Sequence, residues 1–456
     1  MKKTRIAAFL CTLLLTVTLL AVPVGAAGYT PPDTTKIHAT AAILVNLAGN
    51  AEGDVVLYEK DADAVHAPGS MMRYMVLAYA LHRVQEQGLD IDTATGTYTK
   101  EMFNKFVAGT GVNTVKMAYG ETWTLRDLLQ VSFMQSASDA VVVLAHAIDG
   151  GVAPFVEGMN ALATELGCTY SHFANLTGLD SLSQYTTARD MYRIVRYVQQ
   201  FSLFEDLAVN YQVTVKPVSG GSQRTIVSAN SMLQPSSTYR YSPLVHSRTG
   251  LSEHEGRTCA SVARDSGYEY LVVVMGCPEE NAEGQKNLHY RDTIALFKWA
   301  FSSFEYKTVL GNSESLASVP VGLSLDTDWV NLVPQKEIAT VVEKNLALNQ
   351  IVKEITLYAD TEKGVDAPLE KGTVLGKVEL IVNTDQKIGE VELVAEKTIH
   401  RSWLLYAWSQ VSGFFTSIWF FIGVGLLVLL IISYAILNVV HNRRRRRDRL
   451  QRVKPR

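Results

Sequence analysis

The chain has 456 residues, 47% of them hydrophobic and 19% charged, which excludes a disordered or fibrous protein and leaves room for about three compact units. Its net charge of −3 is unevenly spread: Lys2, Lys3 and Arg5 contribute +3, the last fourteen residues contribute +8, and the remainder therefore carries −14. So acidic a middle argues against nucleic acid as a partner, because phosphate binding needs a basic face.

The chain opens with that basic head, an apolar run from Ile6 to Val22 and the small residues Gly25, Ala26 and Ala27, the pattern of a secretory signal peptide over residues 1–27. Two β-like runs, Ala41–Leu47 and Val55–Tyr58, flank the turn-forming stretch Gly49–Asp54 and predict a hairpin. Helical periodicity follows over Ser70–Gln87, Thr124–Ile148, Pro154–Leu166 and Thr187–Gln199, and extended runs return at Thr258–Ala263 and Tyr270–Gly276. Strands at both ends with helices between them predict an α+β domain whose sheet is closed by distant segments. From about Val319 the texture changes to short alternating runs, such as Ile355, Leu357 and Ala359, with turn signals at Lys363-Gly364 and Lys371-Gly372. This predicts a small all-β domain.

No Lys, Arg, Asp or Glu occurs between Ser402 and Asn442, and the almost wholly apolar segment Phe414–Val440 is followed by the run Arg443–Arg447. That is the pattern of a transmembrane helix whose arginine-flanked end lies in the cytosol, with Trp403, Tyr406, Trp408 and Trp419 at the opposite interface. The bulk of the chain is thus expected outside the cytoplasmic membrane, tethered by a single C-terminal span.

Metal chemistry finds little support. His254-Glu255 is followed by Gly256, Arg257 and Thr258, so the second histidine of a zinc-protease helix is missing, and His246, Glu253, His254 and Glu255 read as polar loop residues. There is no glycine-rich phosphate loop, and neither a metal nor a cofactor is expected. After removal of Cys11 with the leader, Cys168, Cys259 and Cys277 are too few for a dense disulfide scaffold, and whether Cys259 and Cys277 pair is open at this level.

Nucleophilic catalysis is left, and three separated segments read together as a serine acyl-transfer site. In Ala67-Pro68-Gly69-Ser70-Met71-Met72-Arg73, a serine opens an apolar helix and Arg73 points the same way one turn later. Helix N-terminal amides would stabilise charge near that serine. Gln135-Ser136-Ala137-Ser138-Asp139-Ala140 lies inside a helical stretch, and His246-Ser247-Arg248-Thr249-Gly250 precedes an extended run, where a cation and a hydroxyl on a strand edge can hold a carboxylate.

With these segments the chain resembles the serine-type D-alanyl-D-alanine carboxypeptidases, the low-molecular-mass penicillin-binding proteins, which carry Ser-x-x-Lys, Ser-x-Asn and Lys-Thr-Gly in this order. The resemblance extends through Val56-Leu57-Tyr58-Glu59-Lys60, Phe155-Val156-Glu157, Glu165-Leu166-Gly167, Thr177-Gly178-Leu179-Asp180 and Tyr185-Thr186-Thr187-Ala188-Arg189-Asp190-Met191. It continues more weakly through Ala367-Pro368-Leu369-Glu370-Lys371-Gly372. It implies a β-lactamase/penicillin-binding transpeptidase-like α+β domain over residues 28–310, a small all-β domain over 318–398, the transmembrane helix over 414–440 and a basic cytosolic tail over 441–456. The implied activity is cleavage of the terminal D-alanine from peptidoglycan stem peptides through a Ser70 acyl-enzyme assisted by Ser136. Arg248, Thr249 and Gly250 would hold the substrate, Ser138 would meet its amide, and β-lactams would be further ligands.

Three positions depart from the family's motifs. The lysine that takes the nucleophile's proton is Arg73 here, and a guanidinium cannot act as a general base. The asparagine of the second motif is Ser138, with a shorter side chain, and the lysine of the third is Arg248, a milder change because guanidinium also binds carboxylate. The alternative reading is therefore a homologue that binds peptidoglycan or a partner protein without turnover.

Overall fold

The computed structural model describes Tyr29 and residues 36–48, 53–358, 363–382 and 386–451. The expected signal peptide over 1–27 lies outside the described residues. The chain divides into two compact units, the first holding residues up to Lys307 together with Thr340–Ile351 and Ile381–Ile388, the second the rest.

In the first unit the hairpin forms as expected, strand β1 (Ala41–Asn46) pairing antiparallel with β2 (Val55–Lys60). Helix α1 (Arg73–Gln87) is buried over almost its whole first half, so it runs through the middle of the domain, and Gly88 ends it in the left-handed conformation that glycine adopts without steric cost. Helices α2 (Leu125–Met134), α3 (Ser138–Asp149), α4 (Val152–Glu165) and α5 (Ala188–Val198) follow. The hydroxyls of Thr124 and Thr187 cap α2 and α5 by accepting the amides of Asp127 and Asp190, at 3.1 and 3.0 Å. Strands β3 (Leu244–Ser252), β4 (Gly256–Asp265) and β5 (Tyr268–Cys277) then complete an antiparallel sheet in the order β2-β1-β5-β4-β3, before helix α6 (Leu288–Ser303). Because β1 pairs with β5, residues over two hundred positions apart close the sheet, as the alternation of segments predicted.

One expected helix is divided. The periodic stretch Thr124–Ile148 becomes α2 and α3, and Ser136 lies in the break with φ 57, a conformation no helix interior contains. The cysteine question also closes: Cys259 and Cys277 are free thiols. They face different partners across β4 and β5, Cys259 opposite Val274 and Cys277 opposite Arg257, with a register shift between Arg257 and Cys259.

The second unit contains, apart from the residues within Ile381–Ile388, a six-stranded sheet built from β6 (Ala317–Gly322), β7 (Trp329–Pro334), β8 (Val352–Leu357), β9 (Val365–Asp366), β10 (Val374–Val382) and β11 (Gln386–Ala395), in the order β8-β10-β11-β7-β6-β9. Its strands show the period of two that one buried face demands: on β7, Val330 and Leu332 are buried while Trp329 and Asn331 are exposed. Helix α7 (Trp403–Thr416) is followed after a break at Ser417 by α8 (Ile418–Gln451). Among the described residues α8 alone is long and apolar enough to cross a membrane as a single helix, over Ile418–Arg445, four residues later than the start expected at Phe414.

Candidate active site

Ser70 sits in a 3-10 turn, Gly69–Met72, that leads directly into α1. The turn is held by the edge strand β3 and its neighbour: Thr258 on β4 donates its hydroxyl to the carbonyl of Pro68 at 3.0 Å. Gly250 on β3 comes so close that a β-carbon there would lie 2.3 Å from the same carbonyl oxygen and 3.0 Å from the amide of Met71. The glycine of the third motif is thus required by contact between two backbones, and it sets the distance between the serine turn and the strand carrying Arg248 and Thr249. Ser70 is partly exposed, and its hydroxyl has no hydrogen-bond partner among the described residues.

One turn on, Arg73 is fully buried. Its guanidinium donates to the carbonyls of Leu176, of Ser136 (3.1 Å) and of Thr177 (3.5 Å), and to the hydroxyl of Ser138 (3.2 Å). Every partner is a neutral acceptor. Burial, reinforced by the charge of Arg248 and opposed by that of Asp139, pulls its pKa down to about 9, which still leaves it a cation at neutral pH. Arg248 is buried as well, and burial lowers its pKa to about 10. It donates to the carbonyl of Met134 at 3.2 Å and to the hydroxyl of Ser136, with its guanidinium over the Phe133 ring. Ser136 is therefore bracketed, its carbonyl facing one guanidinium and its hydroxyl the other, which accounts for the break between α2 and α3. Next to Ser138, the buried carboxylate of Asp139 accepts the amides of Val115, Met117 and Ala140 at 3.0–3.1 Å and fixes the start of α3.

The seven expected site residues thus converge: Ser70 and Arg73 on one turn, Ser136 and Ser138 at the head of α3, and Arg248, Thr249 and Gly250 on β3. Sequence reasoning missed the residues that shape the loop against Arg73. Asn175 accepts the amides of Thr177 and Gly178 at 3.0 and 2.9 Å, and Gln184 accepts those of Ala174 and Asn175, at 3.2 and 3.1 Å. An asparagine two residues before Thr177-Gly178 is an Asx-turn signal that could have been read. The residues weighed for a metal do not gather. His246 is buried beside Tyr74, with 2.9 Å between the Tyr74 hydroxyl and Nδ1, while the Glu255 carboxylate holds the amide of Ala67 and the ring of His66. Among the described residues no group of three or more His, Cys, Asp or Glu side chains could hold a metal ion.

Residues 28–279, which include this site, match the family model of the D-alanyl-D-alanine carboxypeptidases. The chain belongs to this family. Residues 304–401 match the C-terminal domain of penicillin-binding protein 5, in agreement with the β-rich second unit. Among curated relatives, the D-alanyl-D-alanine carboxypeptidase DacF of Bacillus subtilis is 24% identical over 74% of this chain and 79% of its own. DacC of Escherichia coli is also 24% identical, over 85% of this chain and 88% of its own. Penicillin-binding protein 5 of Haemophilus influenzae superposes with a TM-score of 0.60 at 21% identity, covering 82% of this chain and all of that one. DacD of Francisella tularensis does so with a TM-score of 0.62 at 18% identity, over 83% of this chain and 97% of its own. The two structures share the fold.

Proposed function

We propose that this chain binds the D-alanyl-D-alanine end of peptidoglycan stem peptides through the family's site but forms the Ser70 acyl-enzyme slowly or not at all. The observation that carries this reading is the engagement of Arg73. A guanidinium whose hydrogen bonds all go to acceptors is used as a permanent donor, and it cannot take the proton that Ser70 must lose in order to attack a carbonyl. Loss of a general base typically removes about 10² to 10⁴ in rate. Thr249 is partly exposed on the edge strand with the buried charge of Arg248 beside it, and on this reading the pair attracts the substrate carboxylate, so binding is kept where proton transfer is lost. The free hydroxyl of Ser70 favours residual, slow acylation, also by β-lactams, over complete inertness.

The test is labelling of the full-length protein with a fluorescent penicillin, read by gel and by intact-protein mass spectrometry. The expected result is an adduct at Ser70 that accumulates slowly, or none. Rapid stoichiometric acylation abolished by Ser70→Ala would mean that another group has replaced the lysine, and the chain would be an ordinary carboxypeptidase.

For location, we propose that the leader directs export and that α8 anchors the chain in the cytoplasmic membrane with Arg443–Arg447 inside, the positively charged end staying in the cytosol. External protease on intact cells should then remove residues up to about 400 and spare the tail. A tail cleaved from outside would reverse the orientation.

A further inference from the structure

Away from the serine site, a groove follows the face of α6 on which Arg291, Ile294, Ala295 and Lys298 share one side of the helix. It consists of two cavities of about 350 and 340 Å³ that have Arg291 and Ala295 in common. The first also meets Lys36, His38, Asn281, Glu283 and Gln285, and the second meets Tyr239.

Two features set this groove apart. The first is charge: in a chain whose middle carries −14, the lining holds three cations, Lys36, Arg291 and Lys298, against one acid, Glu283. Most arginines of the domain are ion-paired, for example Arg189 with Glu59 and Asp63 and Arg196 with Asp54. Among the described residues none of Lys36, Arg291 and Lys298 has a carboxylate partner; Arg291 Nε only donates to the carbonyl of Lys286, at 3.3 Å. The second feature is order. The fully buried Asp292 accepts the amides of His38 and Ala39, both at 2.7 Å, and lies 2.8 Å from Nδ1 of His38, which turns Nε2 of that ring toward Asn281, 3.3 Å away. Asn281 and Gln285 are tied to each other at 2.8 and 3.1 Å. The polar end of the groove is held in place before any ligand arrives, which lowers the ordering cost of binding.

We propose that this groove binds an extended polyanion carrying phosphate groups, with Arg291 and Lys298 each taking a phosphate, Lys36 adding charge at the Arg291 end, and His38 and Asn281 holding that end in shape. Guanidinium matches phosphate oxygens bidentately, and ammonium acts as a point charge. Seven helical residues place the two cations about 10 Å apart along the axis, a spacing that calls for a chain with repeated charges, while Ile294 and Ala295 between them accept its uncharged backbone.

The test uses the full chain in nanodiscs of zwitterionic lipid and a fluorescently labelled poly(glycerol phosphate) oligomer as probe, followed by anisotropy, with inorganic phosphate and anionic vesicles as competitors. The oligomer is expected to bind, to weaken at raised salt, and to lose at least tenfold in affinity when Arg291→Gln and Lys298→Gln are combined. Arg248→Ala should leave its affinity unchanged, which separates this groove from the serine site, and thermal melting confirms that the variants fold. Failure to bind, or affinity unchanged by the paired substitution, overturns the proposal. Competition by vesicles with no binding of the soluble oligomer also overturns it, in favour of a lipid headgroup.

Discussion

Arg73 donates a hydrogen bond to the hydroxyl of Ser138 at 3.2 Å, and this single contact joins the two positions at which the sequence reading expects the largest departures from the family's motifs. On that reading the guanidinium stands at the expected lysine position, and the serine it touches at the expected asparagine position. Through that hydrogen bond the two side chains form one structural unit. In that unit Arg73 is a clasp between α1, the start of α3 and the Leu176–Thr177 loop.

The clasp predicts that Arg73→Lys alone does little for chemistry. One ammonium cannot reach all the acceptors of a planar fork, and each buried carbonyl left unpaired costs about 1–3 kcal/mol. The single variant should melt earlier than the parent and acylate with penicillin only marginally faster. Adding Ser138→Asn should restore a partner for the ammonium and raise acylation by about tenfold or more, on the usual scale of a general base. Calorimetry and time-resolved mass spectrometry read the two effects. Equal rates in the single and double variants would show that the residues act independently.

A second expectation concerns the serine turn. Gly250→Ala places a methyl 2.3 Å from the Pro68 carbonyl oxygen, so either β3 or the turn must move. Overpacking of this kind costs about 1–3 kcal/mol, and the movement should displace Ser70. Gly311→Ala, where a β-carbon meets nothing within 4 Å, is the control and should be neutral in chemical denaturation. A Gly250→Ala protein as stable as the control would refute the close-approach account.

A third expectation is acid sensitivity through His246. Burial, with Arg264 as the lesser cause, lowers its pKa to about 3, whereas in the unfolded chain it titrates near 6.5. Between those values the unfolded state binds a proton that the folded state refuses. The contribution of His246 is thus complete above about pH 6.5 and is lost as the pH falls below it, by about 1.4 kcal/mol per pH unit. The buried carboxyls of Asp139 and Asp292, raised by desolvation, act in the opposite sense, so the measurement is a difference. Denaturation midpoints of His246→Gln should depend less steeply on pH between about 4.5 and 6.5 than those of the parent. Parallel curves would rule out this account.

Much of the architecture was legible in the sequence because it depends on local periodicity. The β1–β2 hairpin, the run of helices between outer strands, the alternation in the second unit and the apolar span all follow from local pattern, and Ser70 could be placed at the entry to a helix from its neighbours. The division of Thr124–Ile148 could not. Apolar residues repeat at helical spacing on both sides of Ser136, and what holds that residue at φ 57 is a pair of arginines 63 and 112 positions away. The free state of Cys259 and Cys277 likewise depended on the pairing register of β4 and β5, which sets Cys259 opposite Val274 and Cys277 opposite Arg257. The composition of the motifs led only to the expectation of a missing base. Only the tertiary structure decided what Arg73 does instead, because a buried cation takes its role from whichever acceptors the folded chain brings to it, and here these come from segments that the sequence keeps far apart.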